Sequence, residues 1–330
     1  MQLLAHIWSV TFPFFGLVLC GYLATRNGWI VVQTIPGLNY FVLYLALPAM
    51  LLRFAAITPI ASLLAPGIVV TYLLCAMCMV WGSLLVHRPG NLGWNDASFV
   101  GLVAAFPNSG FMGVPLLVAL CGDSAAAPVI VALSLDMVVT SSLCIALSRI
   151  RAQGSADAGR AVRQALLAMT LNPLPWSIGL GSLISATQMT LPHPLQGGID
   201  LLAQSASPMA LFTLGCVLAR TQQTMTKDTQ TQFVEVCKMV GQKLLLHPLL
   251  VAVISGTLNA LGLPLDPYSA MVLVLVAALP SASNVPMLAE RFGADGGRLA
   301  FSVMGSTVLS FLTFTAVVMM AVPPALLLKA

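Results

Sequence analysis

Pro107-Asn108-Ser109-Gly110-Phe111-Met112-Gly113-Val114-Pro115 interrupts an apolar run long enough to cross a bilayer, and Pro280-Ser281-Ala282-Ser283-Asn284-Val285-Pro286 interrupts a second such run. Each has a proline, a few small polar residues and a second proline. From that second proline it is seven residues to a glycine in both places, Gly122 and Gly293, and an aspartate follows closely, Asp123 or Asp295. Proline inside a helix removes a hydrogen bond and clashes with the preceding turn, and glycine adds backbone freedom. The two stretches therefore predict helices unwound for a few residues at membrane depth. Lipid cannot satisfy the freed N–H and C=O groups, so each break must face protein or a wet cavity.

Composition makes the membrane setting secure. Of 330 residues, 58% are hydrophobic and 7% are charged, against about a quarter charged in soluble domains. A soluble fold of this size could not cover its surface. The net charge of +4 does not point to nucleic acid, because the basic residues sit in short loops without interleaved aromatics. Most of the seven cysteines fall in apolar stretches, where they act as small apolar side chains. Cys75 and Cys78 lack a second pair or a nearby His cluster, so this CxxC is read as helix packing. The first Arg is Arg26, after the first apolar run, which is therefore read as a retained helix and not as a cleaved signal.

A membrane-spanning helix needs about 20 mostly apolar residues. Ten stretches qualify, at 6–24, 37–56, 67–86, 97–120, 125–148, 171–189, 199–219, 236–261, 268–289 and 299–322. The chain thus divides into a first five-helix unit (1–148), a connecting loop (149–164) and a second five-helix unit (165–330). The loop holds Arg149, Arg151, Arg160 and Arg163 against Asp157, which places it in the cytoplasm. With five spans before it, both termini lie outside. Arg26, Arg88, Arg220, Lys227, Arg291 and Arg298 then all fall inside, and only Arg53 and Lys329 outside.

The two units match beyond their breaks. Pro48 and Pro208 each follow a glycine by eleven residues, Gly37 or Gly197. Pro13 with Gly16 and Gly21 resembles Pro173 and Pro175 with Gly179 and Gly181. An odd number of helices per unit inserts the second copy upside down. Inverted repeats with interrupted helices in matching positions mark secondary transporters.

The half-helix after each break aims its N–H groups and positive dipole end into the cavity. Asn108, Ser109, Ser281, Ser283 and Asn284 add neutral donors and acceptors. With Pro107, Gly110, Gly113, Pro115, Pro280 and Pro286 they form the expected substrate site, suited to a small carboxylate. Mere kinks are the alternative. Asp136 lies near the middle of the fifth span, where a carboxylate is expensive and marks function by default. It is read as a proton or Na⁺ site or the partner of a cation, with a hydrogen-bonded structural role as the alternative. Lys243 and His247 sit one turn apart before Pro248. Lys243 either snorkels to the inner interface or partners the anion or Asp136; His247 is read as a packed histidine. No DDxxD, HExxH, GxSxG or Walker motif occurs, so neither an enzyme nor an ATP-driven pump is expected.

Four stretches resemble signatures of one family. Phe41-Val42-Leu43-Tyr44-Leu45-Ala46-Leu47-Pro48-Ala49 is similar to its second-helix pattern and Pro107 to Leu116 to its fourth. Lys243-Leu244-Leu245-Leu246-His247-Pro248 is similar to its eighth and Pro280 to Pro286 to its ninth. This is the auxin efflux carrier family, which includes the PIN-formed carriers of plants and bacterial malonate-carrier-like permeases. The resemblance covers nearly the whole chain. It implies an all-α integral membrane fold of ten helices in two inverted five-helix repeats. Helices four and nine would cross at their breaks beside the substrate, as in sodium/bile-acid symporter-like folds. Asn108-Ser109-Gly110 departs mildly from the frequent Asn-Thr-Gly, and the connecting loop is far shorter than in many plant members, which fits a bacterial-type member.

The resulting expectation is a multi-pass carrier in a bacterial inner membrane, moving a small organic anion such as malonate by alternating access. No cofactor and no nucleic acid are expected, with coupling to H⁺ or Na⁺. The first, second, sixth and seventh helices would form a scaffold and a homodimer interface. The rivals are a passive anion channel, a carrier of another organic acid (auxin-like or amino-acid-derived), a lipid-modifying membrane enzyme, and a sensor built on a transporter-like fold.

Overall fold

The computed structural model describes residues 2–87, 92–150, 163, 167, 172–224, 233–263 and 265–323. Apart from Arg149, Ile150 and Arg163, the connecting loop 149–164 lies outside the described residues, as do Arg88, Lys227 and Lys329. The described residues are helical, with one isolated bridge between Pro107 and Ser281 and no strands. The helices are α1 (Gln2–Arg26), α2 (Val32–Ile57), α3 (Pro66–His87), α4 (Trp94–Ala105), α5 (Ser109–Cys121) and α6 (Asp123–Arg149). The chain continues as α7 (Pro173–Thr187), α8 (His193–Thr224), α9 (Phe233–Ala260), α10 (Pro267–Ala278), α11 (Val285–Arg291) and α12 (Gly296–Ala321). Seven helical segments are long and apolar enough to cross a membrane; α5 and α10 are shorter apolar helices. Large apolar side chains such as Phe12, Trp81, Leu180 and Leu312 stand exposed on the outer surface. This is an integral membrane protein.

The predicted spans at 97–120 and 268–289 are each split in two, α4 from α5 and α10 from α11. Beyond the second half-helix, Gly122 and Gly293 take φ of +88° and +76°, which other residues rarely adopt. Gly293 closes α11 in a Schellman motif, with Ala294 N donating to Ala289 O and Gly293 N to Glu290 O, both at 3.0 Å. Asp295 then caps α12, accepting from Arg298 N. The matched glycine–aspartate pairs are therefore turns that end a half-helix and start the next helix.

Three of the helices carry a widened π turn ending two residues before a proline. These are Val42–Ala46 before Pro48, Ser109–Gly113 before Pro115, and Gln242–Leu246 before Pro248. A proline ring clashes with the carbonyl four residues earlier, and here that carbonyl lies inside the wide turn. The π turn is the local adjustment that keeps a proline-containing helix going in lipid. Pro115 consequently does not end the first break. The unwound segment there is only Phe106 to Asn108, whereas the second runs from Leu279 to Asn284. A fourth π turn, Asp136–Thr140, has no proline after it and carries the intramembrane aspartate.

The helices sort into two packed groups. One is α1, α2, α7 and α8; the other is α3 to α6 with α9 to α12. In the first group, glycines let backbones touch. A Cβ on Gly21 would sit 1.9 Å from Phe212 O, and one on Gly215 1.9 Å from Val18 O, so these two glycines seal α1 against α8 from both sides. Gly181 does the same between α7 and α2, where a Cβ would lie 2.5 Å from Leu52 O. Gly215→Ala or Gly21→Ala must force the helices apart, with an expected cost of at least about 1–3 kcal/mol. Thermal melting in detergent checks this against Gly16→Ala, whose nearest neighbour is 3.9 Å away. Equal melting temperatures for all three would contradict the packing argument.

Candidate functional site

The two breaks meet. Asn108 N donates to Pro280 O at 2.8 Å, and Ala282 N donates to Phe106 O at 2.9 Å, an antiparallel pairing of Pro107 with Ser281. Each unwound segment thus satisfies part of the other's freed backbone, which lipid could not do. Ser281 N is held by Ser306 Oγ of α12 at 3.2 Å. Gly113 leaves room for the Leu279 side chain, since a Cβ there would lie 2.8 Å from Leu279 Cδ1.

The polar side chains at the crossing are placed unequally. Asn108, Ser109 and Ser281 are buried, Ser283 is half-buried and Asn284 is exposed. Asn108 Nδ2, Ser109 Oγ and Ser281 Oγ have no hydrogen-bond partner among the described residues. A buried polar group left unpaired costs about 1–3 kcal/mol, so three together at one point are hard to explain by packing alone.

Asn284 lines three cavities. A small one of about 30 Å³ touches Asn108 and Gly110. A second, of about 390 Å³, opens toward Arg220, Glu290 and the start of α12. The third, of about 490 Å³, lies between α2, α6 and α11 and is lined by Arg149, Arg291, Ser141 and Asn172. Leu43, in the π turn of α2, also lines all three, so the first helix group supplies one wall. Arg149 and Arg291 are read from sequence only as markers of sidedness; their place in a cavity is a structural finding. Of the residues expected at the site, Ser109, Gly113, Pro115, Pro280 and Ser281 line none of these three.

Asp136 is fully buried in the adjoining core. Tyr72 on α3 donates its hydroxyl to Asp136 Oδ2 at 2.5 Å, and Thr140 donates to Oδ1 at 3.0 Å. Lys243 is also fully buried, which excludes snorkelling to the interface. Its Nζ lies 2.9 Å from His247 Nδ1 and donates to Ala277 O at 3.0 Å. Ala277 is in the last turn of α10, just before the break, where helix carbonyls lack partners and a cation is favoured. Asp136 and Lys243 make no ion pair with each other, although Tyr72 and His247 bring their rings within 6.5 Å between them. A second polar link ties α3 to α9. His87 Nδ1 lies 2.9 Å from Glu235 Oε2, and its Nε2 lies 3.1 Å from Gln242 Oε1. Nothing in the apolar surroundings of Tyr72 and Thr140 marks them out; only the presence of Asp136 could have prompted a search for such partners.

Apolar helices, paired interruptions and a polar crossing beside cavities define a membrane transport protein. The family described as "Membrane transport protein" matches residues 6–320. The chain belongs to this family, that of the auxin efflux carriers. A Rhizobium meliloti (strain 1021) protein named "Putative malonate transporter" is 30% identical over 94% of this chain and 95% of its own. "Uncharacterized transporter YfdV" of Escherichia coli (strain K12) is 24% identical over 90% of this chain and 93% of its own. The mouse (Mus musculus) "Lysosomal cholesterol signaling protein" is 26% identical over 72% of this chain but 28% of its own length. The family and the first two relatives are named as transporters and not as enzymes.

Proposed function

We propose that this protein is a secondary active transporter that carries a small organic anion, a malonate-like carboxylate, across the bacterial inner membrane by alternating access. The observation that carries the reading is the crossing itself, where Asn108, Ser109 and Ser281 hold buried polar atoms without partners among the described residues. A carboxylate would accept from the amide and hydroxyl donors there, and the start of α5 would add its positive dipole end. The name of the Rhizobium relative favours malonate as the first candidate.

The proposed architecture is ten crossings in two inverted five-helix repeats, 1–148 and 165–330, joined by a cytoplasmic loop. The mutual pairing of the two breaks supports it. So does the constant sequence offset between Pro13 and Pro173, Gly21 and Gly181, Gly37 and Gly197, and Pro48 and Pro208. Gly21 and Gly181 also share a role, each admitting a backbone of the same helix group. In this scheme α1, α2, α7 and α8 are the scaffold and offer a homodimer face. The other group rocks against it and carries the crossing from one side to the other. Asp136 would take up the coupling proton or Na⁺.

A thermal-shift screen of the purified protein against small carboxylates tests the reading. A ligand that binds only the folded state at 100 times its Kd stabilises by about 2.7 kcal/mol, so malonate is expected to raise the melting temperature by several degrees. No shift with malonate or any other small carboxylate would sink the anion assignment.

A further inference from the structure

We infer that Arg149 and Arg291 form a second-carboxylate site, so that the protein selects a short dicarboxylate over a monocarboxylate. This rests on the proposed carboxylate site at the crossing. The cavity of about 490 Å³ has Asn284 of the crossing on its wall together with both arginines. Among the described residues, no Asp or Glu lines it. Neither arginine makes an ion pair within the described residues. Two positive charges lining one cavity, without a counter-charge among the described residues, favour anions there.

The fold ties these charges to the crossing through α11. Asn284 and Arg291 flank the two ends of α11, a seven-residue helix that rises about 10 Å. Helical side chains lean toward the N-terminus, which shortens the reach of Arg291 toward Asn284. Arg149 is anchored from the other wall. Its Nη2 donates to Phe292 O at 3.3 Å, and its guanidinium lies 5.4 Å from the Phe292 ring centroid. One of its five N–H donors is so used, which leaves the rest of the fork to a carboxylate. Ser141 and Asn172 add neutral polar groups to the same cavity. A monocarboxylate satisfies the crossing alone. A short dicarboxylate has a second negative end, and the arginine-lined cavity is where uncompensated positive charge awaits it.

Calorimetry with malonate and with acetate on the purified full chain tests the inference. Wild type should bind malonate more tightly than acetate. Arg291→Gln and Arg149→Gln should each weaken malonate binding about 10-fold or more and leave acetate unchanged, so the selectivity ratio collapses. Arg149→Lys should recover only part of it, because the charge stays but the fork is lost. Arg149 also holds the turn after α11, so its Gln variant could misfold; Arg291 is exposed and makes no bond among the described residues, and its variant then decides alone. An unchanged malonate-to-acetate ratio in Arg291→Gln overturns the arginine site and leaves the crossing site standing. Wild type binding neither anion overturns both.

Discussion

Asn108→Ala is expected to weaken substrate affinity about 10-fold to 100-fold without destabilising the protein. A hydrogen bond to a charged group is worth roughly 1.5–3 kcal/mol, and 1.4 kcal/mol is a factor of ten in affinity. The stability half of the expectation follows from burial. Asn108 Nδ2 is buried with no protein partner, so in the unliganded state removing it relieves a desolvation cost. An Asn kept for packing would behave the opposite way, with stability falling and affinity following it. Asn284→Ala should also lose affinity, and because Asn284 is exposed its melting temperature should not move at all. Calorimetry with malonate beside thermal melting separates the cases. Wild-type affinity in both variants would place the solute elsewhere and leave only the fold and the family membership.

Asp136→Asn should abolish gradient-driven accumulation while sparing expression and downhill exchange. Asparagine is nearly isosteric. Its Oδ1 can still accept from Tyr72, and its amide can donate to Thr140 Oγ1, so both hydrogen bonds observed around Asp136 have a counterpart. Only the ionisable charge is lost. Asp136→Leu should differ. It strands the Tyr72 and Thr140 hydroxyls in the core, each a buried polar group left unpaired at a cost of about 1–3 kcal/mol. Uptake into proteoliposomes with and without an imposed pH or Na⁺ gradient reads the first variant, and folded yield reads the second. Unchanged gradient-driven uptake in Asp136→Asn would make Asp136 a structural residue.

Much of this was legible in the sequence because proline and charge are costly in lipid. The breaks at Pro107 and Pro280 announce themselves, and so does Asp136. The glycines Gly21 and Gly181 are visible as matched positions, but their role, backbone contact with α8 and α2, needs coordinates. The extent of unwinding was not legible. Pro115 reads as the far edge of the first break, yet a π turn absorbs it and the break ends at Asn108. Lys243 reads equally well as a snorkelling residue, since sequence gives its neighbours along the helix and not the Ala277 carbonyl that holds it. Arg149 and Arg291 were hidden by their own clarity as topology markers. Only the structure shows that they line one cavity with Asn284.

The central claim is that the crossing carries a carboxylate alternately to the two sides of the membrane. Counterflow tests it most directly. Proteoliposomes are loaded with unlabelled malonate, diluted into a trace of labelled malonate, and followed in time. The account predicts a transient accumulation of label inside, above its final equilibrium, that vanishes in Asn108→Ala at the same trace concentration. Monotonic equilibration without overshoot, in protein that binds malonate, would contradict alternating access and make the crossing the constriction of a passive pore.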